Sequence, residues 1–274
     1  STNGKRAVFT ARGELFSVPL KDGITLDLTH TPGVHEREAN WSHDGKRIAY
    51  VSDEGGEEAV WVCNADVGNA KKLTTDTMGR LYAPRWSPDG ERIAFVDSDN
   101  NLRIVSASGG PAPVVAHDPS ISRRDYAWSP SGHYLAYTLT DADTLQSQLY
   151  VRDLVAGKDV RLGQPRFNAY GPAFSPDGKY LYYLGDREWT PQISNIEWDF
   201  AANRDTGIYA LALRKDVDNP FAPRNDSASA EDKKDEAGKK DADKGKDKSK
   251  SPADINDHID FDGLDGRVIR APIE

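Results

Sequence analysis

The chain has 274 residues, 37% hydrophobic and 9% aromatic, which is enough apolar material for a substantial core and excludes a disordered polymer. Its 35 Lys and Arg against 44 Asp and Glu give a formal net charge of -9, which argues against nucleic-acid or anionic-membrane partners, since both need a cationic surface. The single cysteine, Cys63, leaves no internal disulfide and no cysteine-based zinc site, and no run of about 18 apolar residues is present to cross a membrane.

In chain order, KRAVFTA (5–11), ELFSVPL (14–20) and ITLDLT (24–29) are three short apolar runs divided by glycine-containing turns. Then EANW (38–41) enters the turn SHDG and is followed by KRIAYVS (46–52), AVWVCNA (59–65) and KKLT (71–74). The same order returns as APRW (83–86), SPDG, ERIAFVD (91–97), NLRIVSA (101–107) and PVVAH (113–117). It returns again as DYAW (125–128), SPSG, HYLAYTL (133–139), QLYVRDL (148–154) and VRLG (160–163), and a last time as GPAF (171–174), SPDG, KYLYYLG (179–185) and GIYALAL (207–213). Ser-Pro-Asp-Gly is a favourable type I turn, with proline fixing φ and glycine accepting positive φ, so each copy closes a hairpin.

The aromatic residues before these turns, Trp41, Trp86, Trp128 and Phe174, are spaced by 45, 42 and 46 residues. A period near 40 to 45 residues with four strands per repeat specifies an all-β propeller of PD40/WD40-like blades. The second strand of each repeat is almost continuously apolar, as expected where blades stack on both faces of a sheet. The first forty residues supply a blade lacking its inner strand, and RVIRAPI (267–273) supplies the fourth strand of a fifth blade. The predicted organisation is propeller blades over 1–221, an insertion over 222–253, and the last strand segment of the fifth blade over 254–274. Five blades do not close a ring, so the chain reads as an arc of a larger one, and its start at Ser1 without methionine reads as excision from something longer. Within the insertion, EDKKDEAGKKDADKGKDKSK (231–250) carries eight lysines and seven acids and no aromatic or branched aliphatic residue, so it is read as disordered.

No catalytic constellation emerges. There is no G-x-S-x-G, and the six histidines lie apart. His35-Glu36-Arg37-Glu38-Ala39 begins like a zinc helix but ends in alanine, and is read as a loop. Asp97-Ser98-Asp99-Asn100-Asn101 imitates the start of a calcium loop, yet Leu102 stands where glycine is needed and Ser108 where glutamate is needed, which leaves an acidic turn. Asn40-Trp41-Ser42 and Asn225-Asp226-Ser227 match the short glycosylation pattern. No metal and no cofactor is expected.

Two sets of residues stay as candidates. Arg37, Arg80, Arg123, Arg124 and Arg166 lead into the inner strands, so repetition places them on one rim near the axis. Either they orient peptide carboxylates or they are solvated loop arginines balancing an acidic surface. Trp41, Trp86, Trp128 and Phe174 are read as inter-blade packing in preference to a ligand platform, whereas Trp189 and Trp198 fall outside the repeat and are candidates for an exposed contact.

GKRAVFTARGELFSVPLKDG, the following DLTHTPGVHEREANWSHDGKRIAYVSDEGGEEAVWV, and DFDGLDGRVIRAPIE together resemble the second propeller of tricorn proteases. The resemblance covers the chain outside the lysine-rich insertion. It implies a seven-bladed propeller that admits oligopeptides to the chamber of a large self-compartmentalising, oligomeric serine peptidase with PDZ and catalytic regions elsewhere. It implies no catalytic residue in this chain. The expected compartment is the cytoplasm, with the periplasm as the alternative. Two other readings stand beside it: a TolB-like protein-interaction propeller, and the propeller cap of a prolyl-oligopeptidase-type hydrolase.

Overall fold

The computed structural model describes residues 1, 4–66, 69–76, 78–120, 125–163, 166–187, 191–193, 200–202, 206–222, 252 and 255–272, and the structural statements below concern these residues. The insertion read over 222–253 lies almost wholly outside them. Among the described residues there is no α-helix, and five antiparallel sheets follow one another with one separate two-stranded hairpin.

Sheet 1 has three strands, β1 (Arg6–Ala11), β2 (Glu14–Pro19) and β3 (Leu26–Asp27). Sheet 2 has four: β4 (Glu36–Trp41), β5 (Arg47–Ser52), β6 (Ala59–Asn64) and β7 (Lys71–Lys72). Sheet 3 is β8 (Tyr82–Trp86), β9 (Arg92–Val96), β10 (Asn101–Ser106) and β11 (Val114–His117), and sheet 4 is β12 (Tyr126–Trp128), β13 (Tyr134–Thr140), β14 (Ser147–Asp153) and β15 (Lys158–Leu162). Sheet 5 begins with β16 (Asn168–Phe174) and β17 (Tyr180–Asp186). A separate hairpin of β18 (Pro191–Ile193) and β19 (Phe200–Ala202) intervenes before β20 (Thr206–Ala212) and β21 (Val268–Arg270) complete the sheet. Every repeat therefore forms the four-stranded unit that its turn spacing predicts, and β21 pairs with β20 across the insertion.

The hairpin turns are built alike. Ser42 Oγ accepts the Arg47 amide at 2.9 Å and donates to Asp44 Oδ1 at 2.6 Å, while that carboxylate accepts the Lys46 amide. Ser87 with Asp89 and Ser175 with Asp177 repeat the arrangement. Burial opposes ionisation of Asp44, Asp89 and Asp177, but the serine and backbone donors, with a neighbouring Arg or Lys, hold all three below the usual carboxylate range.

In sheet 4 the turn carries Ser131 in the aspartate position, and the missing carboxylate arrives from far along the chain. Asp257, buried, accepts the Ser131 amide at 3.0 Å and its hydroxyl at 2.5 Å. The segment 255–267 thus straps sheets 4 and 5 together, with Ile259 and Leu264 buried in their shared core and Asp265 accepting the Gly163 amide.

Neighbouring sheets are also latched at the turns. Arg47 donates to Gly90 O of the next turn at 2.7 Å and lies 4.5 Å from the Trp86 ring centroid; Arg92 repeats this with Gly132 O at 2.7 Å and Trp128 at 5.2 Å. Each indole then reaches back, with Trp86 Nε1 donating to Asn40 O and Trp128 Nε1 to Arg85 O, both at 3.2 Å.

Two predictions follow from the turns. The depressed carboxyl groups contribute stability above the unfolded value near pH 3.9 that is lost as pH falls through their lower folded values. Urea unfolding should therefore weaken from about pH 4 downward, and Asp89→Asn should shallow that dependence; an unchanged profile contradicts it. Ser131→Asp, although it restores the repeat, places a second carboxylate against Asp257 and should destabilise by about 1–4 kcal/mol. Adding Asp257→Asn should recover most of that loss, and failure to recover it would refute the strap.

Candidate functional site

The inner strands β4, β8 and β16 each carry a bulge, between Arg37 and Asn40, Tyr82 and Arg85, and Tyr170 and Ala173. In each a left-handed residue stands three positions before the aromatic: Glu38 at φ 56°, Ala83 at φ 49° and Gly171 at φ 63°. Bulges bend a strand and re-aim the side chains that follow, and here those side chains belong to one site.

Beyond the bulges, Asn40 and Trp41, Arg85 and Trp86, Trp128, and Pro172 with Phe174 line a single open concavity of about 440 Å³, joined by His43 and Pro88 from the turns. Residues of four sheets meet there, so it marks where the inner strands converge. Its wall is aromatic and proline-rich, with Arg85 as its one fixed cation, 5.6 Å from the Tyr126 ring. None of the residues lining it is an acid, a serine or a cysteine. Among the described residues no cluster of three His, Cys, Asp or Glu side chains is placed to hold a metal ion.

The repeated aromatics serve both packing and lining. Trp86 is 1% exposed and belongs to the core between sheets 2 and 3, whereas Trp41, Trp128 and Phe174 are half-buried and keep an edge on the concavity. Sequence reasoning treated this repeat as packing and passed over its neighbours Asn40, His43 and Arg85. The signal was available, because a residue adjacent to a repeated inner-strand aromatic must recur at the axis.

Of the sequence-predicted arginines, Arg37, Arg80 and Arg166 lie at the other end of the inner strands. Arg37 is buried in an ion-pair network, 2.6 Å from Glu38 Oε1 and 2.5 Å from Glu58 Oε2, and also donates to Leu81 O at 2.6 Å. Glu58 accepts the Leu81 amide in turn, and Glu38 the Ala83 amide, so this network clamps sheet 2 onto β8. Arg80 is exposed and shares the Tyr82 ring with Arg37, at 5.8 and 5.4 Å. Arg166 is exposed before β16. Arg123, Arg124, Trp189 and Trp198 lie outside the described residues.

The stretch His35 to Ala39, read as a loop, is corrected by the structure: Glu36 to Ala39 belong to β4, because the bulge allows the strand to continue past its break in register. Asp97 in the calcium-like stretch accepts the amides of Asp99 and Asn101 and pairs with Arg103 at 2.7 Å, which makes it the anchor of a tight turn. Burial opposes its ionisation, yet donors from Asn101 and Arg103 hold the carboxyl low.

Three comparisons bear on the site. The family profile described as the tricorn protease second beta propeller domain matches residues 1–274. The chain is 28% identical to a protein named putative Tricorn-like protease C-terminal subunit of Sulfurisphaera tokodaii, over 99% of this chain and 28% of that protein. It is 24% identical to the tricorn protease homolog of Saccharolobus solfataricus, over 99% of this chain and 22% of that one, so it spans about a quarter of these relatives. Among solved structures, that of the tricorn protease superposes with a TM-score of 0.76 at 18% identity, covering 99% of this chain and 24% of that one.

The Arg37 clamp is testable. Arg37→Ala leaves Glu58 and the Leu81 carbonyl without their partner inside the sheet 2–sheet 3 contact, and should cost about 1.5–3 kcal/mol in urea unfolding. A loss within error of zero would show that the network is solvated.

Proposed function

The chain belongs to the tricorn protease second β-propeller family, and on that premise we propose that it is a scaffold and substrate-admission gate for a peptidase whose catalytic groups lie elsewhere in a longer parent. The concavity carries this reading. An aromatic and proline wall offers sequence-tolerant contact to an extended peptide, and Arg85 offers a bidentate partner for a carboxylate. With no acid, serine or cysteine lining it, the concavity is suited to contact and passage and not to bond cleavage.

At the opposite end of the inner strands, exposed Arg80 and Arg166 would add a positive field against a net charge of -9, with Arg123 and Arg124 assigned the same part from the repeat. Trp189 and Trp198 are proposed as contacts with other parts of the parent, and PDZ and catalytic regions and homo-oligomeric assembly belong to the same proposal. Among the described residues no helix is long and apolar enough to cross a membrane. We place the parent in the cytoplasm on the family resemblance, with the periplasm as the alternative. Membership of the tricorn family favours this reading over the TolB-like and prolyl-oligopeptidase-type alternatives.

The test uses the parent peptidase and paired acidic and neutral fluorogenic peptides. Arg85→Ala, and separately Arg80→Ala with Arg124→Ala, should lower kcat/KM for the acidic peptide roughly 3- to 10-fold more than for the neutral one. Equal losses on both peptides would sink the carboxylate-guiding role.

A further inference from the structure

Glu36 opens β4 in a place that suits a carboxyl group and not a carboxylate. It is 1% exposed and turned to the link that leads from sheet 1, where Oε1 accepts the Thr31 hydroxyl at 2.8 Å and Oε2 is buried without a hydrogen-bond partner among the described residues. The titratable groups facing it are acids. Asp27 stands on β3, Glu54 in the turn after β5, and Tyr50 and Cys63 on β5 and β6. Burial raises Tyr50 and pushes Cys63 up to about 11, so both stay neutral and neither brings a countercharge. Asp53 accepts the His35 amide at 2.7 Å, and His30, exposed, spends its ring nitrogen on Asp27 at 3.2 Å. Arg37, next along the strand, points away into its pairs with Glu38 and Glu58. Burial therefore pushes the Glu36 carboxyl above its usual range, the Thr29 and Thr31 hydroxyls oppose that without cancelling it, and Glu54 and Asp27 add to the rise.

Glu36 also ties the seam between sheets 1 and 2 through its backbone. Its amide donates to Gly13 O at 2.8 Å, while nearby the Leu28 amide donates to Leu15 O at 2.7 Å and the Val34 amide to Thr31 O at 3.1 Å. Leu15 and Leu28 from the sheet 1 side meet Ile48, Tyr50 and Cys63 of sheet 2 in one core, and Trp41 packs against that core from the far end of β4. One strand therefore carries Glu36 at one end of the seam and the concavity residues Asn40 and Trp41 at the other. An unpaired charge is costly to keep buried, so an ionised Glu36 is driven toward water, and the 28–35 link that covers it has to move.

We propose that Glu36 is a proton-operated latch on the concavity. Protonated, its side chain stays in the seam and β4 holds Asn40 and Trp41 in line with Arg85 and Trp128. Ionised, it leaves the seam, the 28–35 link opens, and the sheet 2 side of the concavity loosens. Its bearing on peptide admission rests on the function proposed above. The closed seam holds the proton more tightly than the open one, so closure is strongest at and below the open-state value of about 4.3. It weakens as pH rises from there toward the raised closed-state value, with the opening equilibrium growing by about 10-fold per pH unit.

Residue-resolved hydrogen exchange on the parent protein, corrected for the intrinsic pH dependence of exchange, reads the latch directly. Opening of the Leu28, Val34 and Glu36 amides should rise with pH by up to about 10-fold per unit, and the Ser42 amide beside Trp41 should follow. Glu36→Gln keeps the shape and cannot ionise, so it should stay closed at every pH. Glu54→Gln removes a neighbouring charge and should move the onset of opening to lower pH, which keeps the test decisive even where Glu36→Gln does not fold. Opening that ignores pH between about 4 and 8, or that keeps its pH dependence in Glu36→Gln, overturns the latch. On peptide substrates the ratio of Glu36→Gln to wild-type kcat/KM should climb over the same interval. Exchange that follows the proton while that ratio stays flat would leave the latch standing and sink the admission role of the concavity instead.

Discussion

Each sheet in this chain must be covered on both faces, and the rest of the structure follows from how its second strand divides side chains between them. Ile48 and Tyr50 of β5 pack toward sheet 1, whereas Ala49 and Val51 pack toward sheet 3. In β9 the division is Ile93 and Phe95 against Ala94 and Val96, and in β13 it is Leu135 and Tyr137 against Tyr134 and Ala136. At the central positions the large residues (Ile48 and Tyr50, Ile93 and Phe95, Leu135 and Tyr137) face the preceding sheet, and the alanine between them (Ala49, Ala94, Ala136) faces the following one. Every interface thus sets a bulky face against a face with room for it, and the contact is heterologous: it propagates head to tail and does not pair sheets back to back. A repeat of this kind has to build a ring or part of one.

The hydrophobic contact alone does not fix the angle between sheets. That is the contribution of the polar latches, in which an arginine from the start of one second strand stacks on the next sheet's aromatic and caps the glycine carbonyl of its turn. Since the same aromatic also donates back to the preceding inner strand, its ring is held on two sides and its remaining edge is left at the axis. The concavity is therefore a by-product of how the sheets are locked. Its aromatic lining is rigid, and specificity among ligands has to come from the residues beside the aromatics, chiefly Arg85, His43 and Asn40.

Strand positions were legible in the sequence because each is a short-range property: a turn tetrapeptide, an apolar run and a period. Even β21 was recognised across a long polar stretch, since RVIRAPI has strand character of its own. What the sequence concealed depends on pairs distant along the chain. Asp257 supplies a carboxylate to Ser131, and nothing local to either residue announces it. The arginine rim was inferred from position alone, but position does not say whether a guanidinium faces solvent or a carboxylate, and Glu58 decides that for Arg37. The bulges were hidden for another reason: only sheet 5 uses glycine at the left-handed position, while Glu38 and Ala83 take it without the residue type that usually marks it.

Sheets 1 and 5 depart from the division of side chains seen in sheets 2 to 4. On β1 the side chain in the bulky position is Phe9, which is 56% exposed. On sheet 5 the small position is filled by Tyr182 instead of alanine, and Ile208 beside it is 41% exposed. The concavity draws on sheets 2 to 5, and sheet 2 in turn packs on sheet 1 through Ile48 and Tyr50. Sheet 1 therefore bears on the concavity at one remove, through Trp41, which packs against the core that sheets 1 and 2 share.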